Sequence, residues 1–177
     1  MKYNIENINP ENNFLFFWGH QPSKDGALSN SCLSQWWLGE FEVEGITYKS
    51  AEHWMMAKKA ELFNDSEILE KILQSSTPAE AKKLGREIKN YDDAVWIKNR
   101  FNIVKQGNLH KFSQRKDLKS FLIGTKNQIL VEASPVDFIW GIGMASNDEN
   151  SKNPSMWKGL NLLGFALMEV RDELTIF

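Results

Sequence analysis

A chain of 177 residues with 42% hydrophobic and 25% charged side chains is long enough to bury one sizeable core, and its length suits a single domain. A formal net charge of -2 excludes a dominant electrostatic grip on nucleic acid and leaves room only for a local basic patch. One cysteine, Cys32, excludes an internal disulfide framework, and three scattered histidines beside it do not make a structural zinc set. Met1 to Pro10 lacks an apolar signal core and no apolar run approaches the ~20 residues of a membrane helix, so a cytoplasmic protein without membrane association is expected.

In chain order, Asn13 to Gly19 is a nearly continuous apolar run, which reads as a strand buried on both faces and ended by glycine. His20 to Ser31 is a polar loop. Leu38 to Tyr48 alternates, with Phe41 and Val43 inward, Glu40, Glu42 and Glu44 solvated, and a hairpin turn at Glu44-Gly45. From Ser50 the period becomes helical: Ser50 caps a helix to about Phe63, and Glu67 to Gln74 forms a second. Thr77-Pro78-Ala79-Glu80 combines an N-cap, a first-position proline and a third-position glutamate, and starts a helix to about Ile88. Asp92 or Asp93 caps the next, as far as His110. Leu118 to Ile123 is a helix closed by Gly124, Gln128 to Ala133 a strand, and Asn147 to Pro154 a polar loop. Leu160 to Val170 is apolar enough to be the central helix, with Asn161 an exception. The whole is an α+β fold: one compact, mostly helical domain over residues 1–177 with a small β-sheet and no internal repeat or linker.

The helix after Ser50 carries the chemistry. Glu52 and Lys59 lie two turns apart on a face shared with Trp54, Met55 and Met56, so a carboxylate and an amine both project inward. Spacing alone leaves two readings open, a buried ion pair that serves packing and a catalytic pair. His53 points about 100 degrees away and reads as a hydrogen-bonded core histidine. Asp137 precedes Trp140-Gly141-Ile142-Gly143, where Gly141 and Gly143 would let backbone approach a ligand or would simply make a tight turn. Trp96 and Trp140 offer flat faces for a base, Arg86 a phosphate contact, and Asn161 a hydrogen bond to ligand or to the Trp140 loop. The helices of Glu52 and Asn161 and the Trp140 loop are expected to line one cleft.

Phe16-Phe17-Trp18-Gly19, Tyr48-x-Ser50-x-Glu52-His53 with Lys59-Ala60, Gly85-Arg86, Trp96, Leu130-Val131-Glu132-Ala133-Ser134, Asp137-x-x-Trp140-Gly141-Ile142-Gly143 and Trp157-x-Gly159-x-Asn161-x-x-Gly164-x-x-Leu167-Met168-x-x-Arg171 occur in this order. Together, from about Phe14 to Arg171, they resemble the NADAR, or YbiA-like, family. Gln35 departs from the pattern, since the family usually has asparagine there.

The resemblance implies a hydrolase, specifically an N-glycosidase that cuts between a ribose C1 and an exocyclic amine. The implied substrates are phosphoribosylamino-pyrimidine intermediates of riboflavin biosynthesis, or guanine bases carrying ADP-ribose, the latter with transient contact to modified nucleic acid. A module that binds such nucleotides without cleaving them is the third reading. Glu52, Lys59 and Asp137 would be catalytic. Phe17, Trp18, Gly19, Arg86, Trp96, Trp140, Gly141, Gly143, Trp157 and Asn161 would bind substrate, with no metal and no cofactor.

A ribosylamine departs when its nitrogen is protonated and positive charge develops at C1. The site therefore needs an acid at the nitrogen and a carboxylate or nucleophile at C1, and these residue types can supply both.

Overall fold

The computed structural model describes residues 1–176. Strand β1 spans Phe14–Phe17, and a 3-10 turn covers Asn30–Leu33. Strands β2 (Phe41–Val43) and β3 (Ile46–Tyr48) form the expected hairpin, in which Glu44 and Gly45 both take positive φ, at 53° and 79°. That pair of left-handed residues matches the twist of the flanking strands.

Six helices follow among the described residues, and in the first four a side chain satisfies one of the first free backbone N–H groups. Ser50, Asp65, Thr77 and Asp92 cap α1 (Ala51–Leu62), α2 (Ser66–Gln74), α3 (Pro78–Gly85) and α4 (Asp93–Ser113). Helix α5 spans Lys116–Gly124, strand β4 spans Ile129–Glu132, and α6 spans Leu162–Thr175. Helix α3 ends three residues short of the expected Ile88, because the Arg86 and Glu87 N–H groups turn to the Lys83 and Leu84 carbonyls in tighter 3-10 bonds. No helix among the described residues is long and apolar enough to cross a membrane.

The small sheet divides into two separate pairs. Strand β1 runs parallel to β4, from Phe14 beside Ile129 to Phe17 beside Glu132, while β2 and β3 pair only with each other. Having one neighbour makes β1 an edge strand, so Phe14, Leu15 and Phe16 are only half-buried and Phe17 alone is in the core. Burial on both faces is thus corrected: the apolar run covers one flank of the core.

Helix α6 lies at the centre, packed on α4 and β4, and α1 packs on α2, α3 and α4. Two glycines permit the close approaches that bring α1 to its neighbours. A Cβ at Gly85 would collide with the Met56 side chain, and one at Gly107 with the Trp54 indole. The Trp54 Nε1–H donates to the Ile103 carbonyl at 2.8 Å, which fixes α1 against α4.

Candidate active site

Capping and packing set the direction of the Glu52 and Lys59 side chains. Ser50 Oγ accepts the His53 N–H at 3.1 Å, and the Glu52 N–H donates to the Gln35 carbonyl at 2.9 Å, so the first turn of α1 is tied to the Ser34–Trp36 loop. His53 is a core histidine. Its Nδ1 accepts the Lys49 N–H at 3.0 Å and its Nε2 donates to the Ile72 carbonyl at 2.7 Å, a neutral tautomer consistent with burial lowering its pKa.

Glu52 is 2% exposed, and burial pushes its carboxyl up to about 7; nearby Lys82 opposes that rise and Asp137 adds to it. Lys59 is half-buried. Its Nζ donates to the Gly85 carbonyl at 2.9 Å and sits 4.5 Å from the Tyr91 ring centroid and 5.5 Å from that of Trp96. Burial lowers its pKa, with Glu52 pulling the other way. Among the described residues Lys59 forms no salt bridge, so the ion-pair reading does not describe this structure.

A third carboxyl completes the group. Glu132 ends β4, and burial, with Asp137 and Glu52 adding to it, pushes its carboxyl up to about 8. Glu52 Oε1 and Glu132 Oε2 are buried without a hydrogen-bond partner among the described residues. Asp137 commits Oδ1 to its own turn, accepting the Ile139 N–H at 2.9 Å and the Trp140 N–H at 2.7 Å. Unpartnered buried polar atoms are rare in folded proteins, and two on one wall mark a place built for a ligand.

Glu52, Lys59, Glu132 and Asp137 line one cleft of about 640 Å³, counting its open mouth. Met55 and Met56 form its floor, while Trp36, Trp96 and Trp140 offer aromatic surface. From α3, Lys82 and Arg86 face it four residues apart, and neither forms a salt bridge among the described residues. Burial disfavours the charged forms of Glu52 and Glu132, so the Lys82 and Arg86 cations face reduced negative charge and the cleft favours an anionic ligand. A second lobe shares Trp36, Lys82, Glu132 and Asp137 with the first and continues past Trp18, Gly19, His20 and Val136.

The cleft thus gathers Glu52, Lys59, Asp137, Arg86, Trp96 and Trp140, and its second lobe adds Trp18, 61% exposed, and Gly19. Five expected ligand residues lie elsewhere. Phe17 is buried in the core, its strand position paired with Glu132 of β4. Trp157 stands edge-on to Phe14 and its Nε1–H donates to the Ser151 carbonyl at 2.7 Å. Gly141 and Gly143 serve the turn: a Cβ at Gly141 would lie 2.8 Å from the Glu132 carbonyl, and one at Gly143, with φ 67°, would lie 2.7 Å from the Phe138 ring.

The Asn161 side chain caps no N–H of α6 and lines neither lobe. Its side-chain Oδ1 accepts the Glu132 N–H at 3.0 Å and its Nδ2 donates to the Leu130 carbonyl at 3.0 Å, so it pairs with β4 as another strand would. It positions Glu132 from behind, and α6 does not line the cleft. Sequence reasoning overlooked Trp36, Lys82 and Glu132. The signal for Lys82 was its four-residue spacing from Arg86; Glu132 ends an apolar strand, which alone gives no direction.

A NADAR domain model matches residues 16–175. This chain belongs to the NADAR domain family. N-glycosidase R617 of Acanthamoeba polyphaga mimivirus is 40% identical over 165 residues, covering 90% of this chain and 95% of that protein. N-glycosidase YbiA of Escherichia coli is 30% identical over 135 residues, 76% of each chain. The NMR structure of YbiA aligns with a TM-score of 0.74 at 27% identity, over 93% of this chain and 86% of that one. The NADAR chain is thereby placed among enzymes that hydrolyse N-glycosyl bonds.

Proposed function

We propose that the cleft hydrolyses the bond between a ribose C1 and the exocyclic amine of a flat heterocycle, with phosphoribosylamino-pyrimidine intermediates of riboflavin biosynthesis as the substrate. The observation that carries this reading is the convergence of two buried, unpartnered carboxyls and an unpaired, half-buried lysine on one cleft. Lys82 and Arg86 suit the phosphate, and the indoles of Trp36, Trp96 and Trp140 suit the ring.

Glu52, whose buried carboxyl keeps its proton up to about 7, gives that proton to the departing nitrogen as the C1–N bond breaks. Asp137 faces the positive charge that develops at C1. Lys59 supplies a covalent route: its amine attacks C1 of the ring-opened sugar, the heterocycle leaves as a neutral amine, and water hydrolyses the resulting imine to free sugar and lysine. Loss of hydration at Lys59 favours the neutral amine that this attack requires.

Guanine carrying ADP-ribose is the second reading. The lobe past Trp18 and His20 supports it, because a longer substrate could continue there from the shared wall of Trp36, Lys82 and Asp137. Incubation of the protein with each substrate type, with mass spectrometry of the products, decides between them. The proposal expects free base and phosphorylated sugar from the pyrimidine substrate. Release only from ADP-ribosylated guanine would transfer the activity to the second reading, and binding without release from either would leave a binding module.

A further inference from the structure

Three linked hydrogen-bonding groups decide which end of the Gln35 amide is left without a partner. The Val104 carbonyl can only accept, so the Asn108 atom 2.9 Å from it is Nδ2. The same Nδ2 lies 2.7 Å from Gln35 and donates there as well, which makes the contacting Gln35 atom Oε1. The other end of Gln35 is therefore the NH2 group. That Nε2 is buried without a partner, on a side chain that lines the cleft beside Glu52.

The loop holding this donor has little freedom. Lys111 Nζ donates to the Cys32 carbonyl at 2.6 Å and the Ser34 carbonyl at 2.9 Å, and the Gln35 carbonyl accepts from Glu52 N–H at 2.9 Å. Gln35 Nε2 and Glu52 Oε1 line one cleft and both lack partners, yet they do not bond to each other. A buried donor left unpartnered is unfavourable in the empty site and is relieved when a ligand brings an acceptor.

We propose that Gln35 is a specificity-determining residue whose Nε2–H donates to a ring carbonyl oxygen of the heterocycle, so that the cleft selects bases carrying a carbonyl where related bases carry an amine. This rests on the cleft being the base-binding site of the proposed reaction. A site built to hydrogen-bond one group rejects the analogue that lacks it, since its own polar atom is then stranded.

The test measures calorimetric affinity for two free bases, a diaminopyrimidinone and the triaminopyrimidine in which an amine replaces the carbonyl. The wild type is expected to bind the pyrimidinone ~10-fold or more tightly than the triamine. Gln35→Met, similar in length and unable to donate, should bring the two affinities within about threefold, and Gln35→Glu, which presents an acceptor, should reverse the order. Thermal melting checks both variants; should Gln35→Glu fail to fold, Gln35→Met carries the comparison.

Equal affinities in the wild type, no binding of either base, or an unchanged ratio in Gln35→Met would overturn the proposal. Turnover of ribosylated substrates by the wild type is recorded separately. A base preference that follows Gln35 without any cleavage would sink the hydrolase reading alone, and cleavage with a ratio indifferent to Gln35 would sink this proposal alone.

Discussion

The Lys59 ammonium loses water to the Tyr91 and Trp96 rings and gains one carbonyl, Gly85, but no carboxylate. Such surroundings favour a neutral amine far more than an ion pair with Glu52 would, which is why the absence of that pair bears on mechanism. Lys59→Arg keeps the positive charge and removes any amine able to form an imine. The expected result is a fold with near-normal melting and turnover lower by ~100-fold or more, as for loss of a nucleophile. Borohydride added during turnover should trap a sugar adduct on the wild type and none on Lys59→Arg. Near-normal rates in the variant would make Lys59 electrostatic and leave Glu52 and Asp137 to direct water attack.

Helix α4 contributes no catalytic group, yet it fixes the Ser34–Trp36 wall through Asn108 and Lys111. Lys111 is fully buried, and burial pulls its amine down to about 7, while the Trp37 and Phe112 rings lie 5.5 and 5.0 Å from its Nζ. Lys111→Met fills similar volume but leaves the Cys32 carbonyl without its side-chain donor and the Ser34 carbonyl with only the Trp37 N–H. The cost should be about 1–3 kcal/mol of stability, read as a fall in melting temperature, with KM rising more than kcat falls because the binding wall loosens and the reacting groups on α1 stay in place. An unchanged KM would show that the loop holds its position without Lys111.

For the whole molecule, the buried carboxyls make stability fall as pH rises. Glu52 and Glu132 keep their protons in the folded state up to about 7 and about 8, whereas in the unfolded chain they release them near 4.5. The native state therefore holds more protons across that window, and unfolding is favoured progressively as pH rises through it. Lys111 acts in the opposite sense between about 7 and its ordinary 10.5, where the unfolded chain holds the extra proton, and His53 and His110, lowered by burial from 6.5, do so just below that value; the two carboxyls, with the larger shifts, set the sign from pH 5 to pH 7. Melting temperature should fall from pH 5 to pH 7, and Glu52→Gln with Glu132→Gln should flatten that slope, by roughly 1–3 kcal/mol per group. A double variant with the wild-type slope would contradict the assignment.

Local chemistry was legible in the sequence wherever it acts locally. Ser50, Thr77 and Asp92 mark helix starts because a cap needs only its own turn, and Glu44-Gly45 marks the hairpin for the same reason. Glu52 and Lys59 were readable because helical spacing sets their common face. Glu132, Gln35 and Asn161 were not, since each is held by a partner remote in the chain: Asn161, Asn108, and β4. The glycines of the Trp140 loop have the same cause. Their closeness is to β4 and Phe138, which no spacing within the motif encodes.

The most direct test of the account is kcat/KM for a phosphoribosylamino-pyrimidine, wild type against Glu52→Gln, with both proteins shown to be folded. The amide keeps the shape of the buried side chain and cannot give up a proton. The account predicts a loss of ~100-fold or more at pH 7, the usual scale for removing a positioned acid, together with loss of the wild-type decline in rate as pH rises past about 7. Near-wild-type kcat/KM in Glu52→Gln, with the pH decline intact, would contradict it.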